Sequence, residues 1–168
     1  MPSLADDLRT APTTFRPFRP DPVQPAALRA ALDRARLASW RLLTVTDRET
    51  RLAIRDAHLP HWRAHLAESG GARIIAADAP ARQARDLRVA DAFARELHEA
   101  PVHLVLLGRR GGFLRTTALG ELAAALRAEG MDAAPIPFAA RVDAQLRELL
   151  AIPDALTVDG ILVARPAR

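Results

Sequence analysis

Residues 116–138 read Thr-Thr-Ala-Leu-Gly-Glu-Leu-Ala-Ala-Ala-Leu-Arg-Ala-Glu-Gly-Met-Asp-Ala-Ala-Pro-Ile-Pro-Phe, and this stretch constrains the chain more than any other. Leu119, Leu122, Ala123 and Leu126 fall at the i, i+3, i+4, i+7 spacing of a helix face. Ala118, Ala124 and Ala125 widen that face, which predicts a helix buried on more than one side. Thr116 or Thr117 is expected to cap its start, and Gly130 stands where a helix end favours positive φ. An apolar run with two prolines follows over 133–138, read as a short strand. Such a helix and strand need a sheet and a second layer around them.

The rest of the chain supplies those parts. Five prolines between residues 11 and 25 forbid a helix there and predict an extended segment, with Pro25 opening a helix over 26–37. Residues 40–46 read as a strand. Asp47 is placed to cap a helix over 48–57, which Pro60 is expected to end, with a second helical piece over 61–67. Gly70-Gly71 reads as a break, Ile74-Ile75 as an extended pair, and 67–86 as a variable loop region. Residues 87–99 form a helix with Val89, Ala90, Phe93 and Leu97 inward. The near-continuous apolar run 102–107 predicts a central strand covered on both faces. A helix over 142–150, with Val142, Leu146, Leu149 and Leu150 on one side, a turn at Pro153-Asp154 and a last strand over 158–163 complete the order. The expectation is one α/β domain over residues 1–168, an α+β sandwich with about four strands under helices.

Composition narrows the function classes. No Cys is present, which excludes disulfides, thiolate nucleophiles and Cys-ligated metal centres. The net charge of +4 comes entirely from arginines spread among acids, without a basic block and with 4% aromatics, so no nucleic-acid role is expected. No stretch reaches the roughly 18 apolar residues of a membrane span, and the cytoplasm is the expected compartment. His58, His61 and His65 are close in sequence, but Leu59-Pro60 interrupts them and they read as solvated surface residues. None of the three serines sits in a Gly-x-Ser-x-Gly elbow. Gly108-Arg109-Arg110-Gly111-Gly112, between a strand and a helix, has the parts of an anion-binding turn without the spacing of a known nucleotide loop. Thr13, Thr14 and Arg16 form a second anion-site candidate, two hydroxyls and a guanidinium on an extended segment.

Three stretches together resemble the FMN-dependent nitroreductase family. Arg16-Pro17-Phe18-Arg19-Pro20-Asp21-Pro22-Val23 looks like its N-terminal phosphate-binding segment. Trp40-Arg41-Leu42-Leu43-Thr44-Val45 looks like the strand that follows a tryptophan. Residues 119–136 run without a gap against the central helix and following segment of the oxygen-insensitive nitroreductases. The resemblance implies a homodimer with FMN at the subunit interface, and hydride transfer from NAD(P)H to small quinone or nitroaromatic acceptors. It implies that Thr14, Arg16 and Arg165 face the cofactor phosphate, and that Pro135, Ile136, Pro137 and Phe138 lie along the flavin ring, where the family offers a backbone N–H to flavin N5. The sequence departs from the pattern in several places: Pro12 and Thr13 stand where basic residues are usual and Phe138 where a small residue is usual. Leu37-Ala38-Ser39 leads straight into Trp40 where the family carries a cofactor-binding loop, and Pro137 has no N–H. A second expectation therefore stands beside the enzyme: a nitroreductase-fold homodimer that has lost FMN and serves as a binding or scaffold protein. A nucleotide binder using residues 108–112 is a third.

Overall fold

The computed structural model describes residues 21–35, 37, 40–77, 81–109, 115–137 and 139–167, with the side chains of residues 115–117 left out. Four strands form one antiparallel sheet: β1 (Arg41–Val45), β2 (Val102–Arg109), β3 (Met131–Pro135) and β4 (Leu156–Pro166). Their spatial order is β1-β2-β4-β3. Both neighbours of β4 run against it, so β2 and β3 point the same way with β4 inserted between them. The helix connecting β2 to β3 is thus the crossover of a split βαβ unit. Two helices, α1 (Pro25–Arg34) and α5 (Arg115–Ala128), cover one face. The other face takes α2 (Arg48–Glu68), α6 (Asp143–Leu150) and the 3₁₀ turns Leu97–Glu99 and Ala139–Val142. Outside α2 lie α3 (Gly71–Ala76) and α4 (Arg82–Glu96), which close a small third core with it around Trp62, Leu66 and Ala94.

The central strand behaves as its apolar run requires. Every residue of β2 from Val102 to Gly108 is buried, because helices cover both faces. Leu104 points towards α1 and α5, Val105 and Leu107 towards α2 and α6. On β4, a bulge leaves Asp159 as the extra residue between Gly160, opposite Leu106, and Val158, opposite Leu107. Gly160 lets the first half of α5 sit directly on the sheet: a Cβ there would lie 2.4 Å from Leu119 Cδ1.

Several local expectations are corrected. α2 is one helix of 21 residues running through Pro60, not two pieces. Ile54, His58, Trp62 and Leu66 repeat at i+4 and are all buried, so tertiary packing holds the helix across the missing N–H. His58 is therefore a core residue, not a surface one, while His61 and His65 are half-buried. Ile74 and Ile75 lie in α3, not in an extended pair, and α4 begins at Arg82, so 67–86 is largely helical. Gly70 supplies the left-handed φ of 76° that lets one helix stop and the next start. Val89 and Leu149, expected inward, are exposed at 42% and 40%. α5 already begins at Arg115, which puts Thr116 and Thr117 in its first turn, not at its cap. Ala124 is exposed, so within one chain α5 is buried on one side only. The strand after α5 covers 131–135 and stops at Pro135, since Ile136 leaves the ladder into a turn.

Candidate functional site

The segment leaving β3 is the best-defined part of the expected site. Pro135, opposite Leu162 in the ladder, is exposed at the sheet edge. Ile136 is turned into the core at 5% exposure, and its N–H donates to Ile161 O at 2.9 Å. Pro137 is half-buried and carries no N–H. Phe138 lies outside the described residues. Behind the turn stands His58 from α2, 1% exposed, with its ring next to the Pro137 backbone. Burial lowers the His58 pKa to about 4; the neighbouring Pro137 backbone opposes that shift, and His61 adds to it. The ring is thus neutral at pH 7. Reading His58 as a surface residue missed this contact, although its place in the Ile54–Trp62–Leu66 row carried the signal.

Arg165 sits at the other end of the same strand pair. It lies opposite Asp132 in the ladder, three residues along β4 from Leu162, or roughly 10 Å at strand rise. Its side chain is 8% exposed and reaches the half-exposed Asp132 Oδ2 at 3.3 Å. A phosphate ligand there competes with the Asp132 carboxylate. Thr14 and Arg16, like Thr13, lie outside the described residues. The structure therefore places Pro135, Ile136 and Pro137 together at the end of the edge strand β3, and Arg165 apart from them on the neighbouring inner strand β4.

The glycine turn after β2 differs from its expected use. Gly108 and Arg109 belong to β2, and residues 110–114 lie outside the described residues. A Cβ at Gly108 would fall 1.7 Å from Asp159 Oδ2 and 2.6 Å from the Trp40 ring. Gly108 is thus needed where the Trp40 ring and the bulged Asp159 close on the strand, with Thr157 Oγ1 donating to Asp159 Oδ1 at 3.1 Å. A buried carboxylate at this point disfavours an approaching phosphate. A separate apolar groove of 420 Å³ runs beside β1, lined by Leu43, Leu107, Leu150, Ile152 and Leu156 with Arg41 among its walls. It lies across the sheet from the Pro135–Pro137 turn, because β1 and β3 are opposite edges.

Comparison with solved structures decides the fold family. An oxidised iodotyrosine deiodinase bound to FMN and 3-iodo-L-tyrosine superposes with a TM-score of 0.67 at 21% identity, over 99% of this chain and 90% of that one. The chain has the nitroreductase fold. The FMN-dependent nitroreductase NfnB from Mycobacterium smegmatis, in complex with NADPH, matches at a TM-score of 0.62 and 18% identity over 98% of this chain and 89% of that one. An FMN- and NADPH-dependent NfnB from a Sphigopyxis strain matches at 0.63 and 22%, over 99% and 89%. No family model and no curated protein matches the sequence. Of the residues expected along a flavin ring, 135–137 are described and Phe138 is not. Residues 135–137 hold no N–H that is not already used inside the chain.

Proposed function

We propose that the chain is an oxidoreductase of the nitroreductase type, taking hydride from NAD(P)H and passing reducing equivalents to a small quinone or nitroaromatic acceptor. The observation that carries this reading is the extent of the fold match: nearly the whole chain superposes on most of proteins described as FMN-dependent, one of them in complex with NADPH. FMN, when bound, supplies the two-electron carrier. Thr14, Arg16 and Arg165 are the candidates for its phosphate end. We read the active form as a homodimer in the cytoplasm; an exposed strip on α5 formed by Gly120 and Ala124 is small enough for close approach of a second helix.

A second reading, the FMN-free homodimer acting as a binding or scaffold protein, is favoured by the turn after β3 and by the Arg165–Asp132 pair. One experiment separates the two. The purified protein is inspected for the flavin absorption band and titrated with FMN, and any complex is assayed for NADPH oxidation with a quinone. A yellow complex with micromolar affinity or better and acceptor-dependent NADPH oxidation supports the oxidoreductase. A colourless protein that leaves micromolar FMN free sinks it.

A further inference from the structure

The hydrogen-bonding groups of residues 135–137 can be counted completely. Three residues ordinarily bring three N–H donors, but Pro135 and Pro137 bring none. The remaining donor, on Ile136, is spent on Ile161 O at 2.9 Å, and Ile136 itself is packed in the core. The buried His58 of α2 packs behind the Pro137 backbone. α2 also packs against the 3₁₀ turn Ala139–Val142 and against α6, so the segment is held from both sides. Freeing the Ile136 amide would require lifting a buried side chain and breaking the last bond that ties β3's end to β4.

We infer that residues 135–137 are closed: they offer a bound flavin ring an apolar surface and no hydrogen bond to the ring nitrogen N5. The inference rests on the oxidoreductase reading for its relevance, and it departs from the donor that the fold's resemblance implies. For residues 135–137 it makes no difference whether position 5 of the ring is an acceptor nitrogen or a carbon.

The test compares FMN with 5-deaza-FMN, in which N5 is replaced by a C–H that cannot accept a hydrogen bond. Affinities for the two, measured on the full chain by fluorescence titration, are expected to agree within about threefold, less than one ordinary hydrogen bond contributes. Pro137→Gly returns an N–H to the turn and is expected to shift the preference towards FMN by about fivefold or more. Amide hydrogen exchange on the wild-type chain supplies a readout independent of flavin: Ile136 is expected to be protected with or without FMN. Tighter binding of FMN than of 5-deaza-FMN by the wild type, by tenfold or more, overturns the inference, as does rapid exchange at Ile136. If neither flavin binds, the oxidoreductase reading fails on its own, and protection at Ile136 still decides whether the turn is closed.

Discussion

A methyl group added at position 108 has nowhere to go between Asp159 and Trp40. Neither neighbour is a free surface side chain, so Gly108→Ala is expected to destabilise the protein by about 1–3 kcal/mol, read as a lower urea midpoint at unchanged m-value. The sequence shows a glycine ending an apolar strand, and the natural reading is a turn. Its real neighbours are contributed by residues 40 and 159, which no local pattern could bring together. The buried histidines give a pH prediction. His58 and His103 are 1% and 0% exposed, and burial lowers both from 6.5 to about 4; the bond from His103 Nε2 to Leu97 O, 2.9 Å long, only partly opposes this. A histidine with a depressed folded pKa binds its proton more readily when unfolded. Its stabilisation is therefore present above about pH 6.5 and lost as the pH falls towards 4, on the order of 3 kcal/mol for each. Denaturation midpoints should fall across that window, and less so in His58→Phe if that variant folds.

At the scale of elements, α2 shows how packing overrides a breaker. Pro60 sits inside it on the exposed side, where its ring removes one backbone bond. Four buried side chains at i+4 spacing and the bond from Trp62 Nε1 to Asp91 Oδ1, 3.0 Å long, hold the helix across that gap. Pro60→Ala is expected to raise stability by roughly 1–3 kcal/mol, since an interior proline costs about 3 kcal/mol relative to alanine. Trp62→Ala should cost about 3–5 kcal/mol by emptying the third core. Both are read by thermal or urea unfolding. Most elements were legible from periodicity and caps: α1 opening at Pro25, the Asp47 carboxylate accepting from Thr50 N–H at 2.8 Å, and Gly130 at φ 74°. The region 67–86 was not, because glycines and short apolar pairs mark a boundary without saying what lies beyond it. Here a left-handed Gly70 restarts a helix and buries Gly71 against Leu66.

For the molecule as a whole, the antiparallel pairing and the order β1-β2-β4-β3 were beyond local reading, although the fully buried β2 was not. The candidate site was legible as a set of residues and not as a working arrangement. The two prolines are visible in the sequence, but the partner that uses up the Ile136 amide comes from β4, and the buried ring behind Pro137 from α2. The strand order also governs the birth of the protein. β2 is made well before β4, its main partner across residues 102–109 and 156–166. During synthesis from the N-terminus, β2 therefore waits with one apolar edge open while α5, β3 and α6 are still being added. A nascent chain stalled before residue 156 would present that edge to other chains, a vulnerability that belongs to the order of translation and vanishes once β4 slides between its two neighbours.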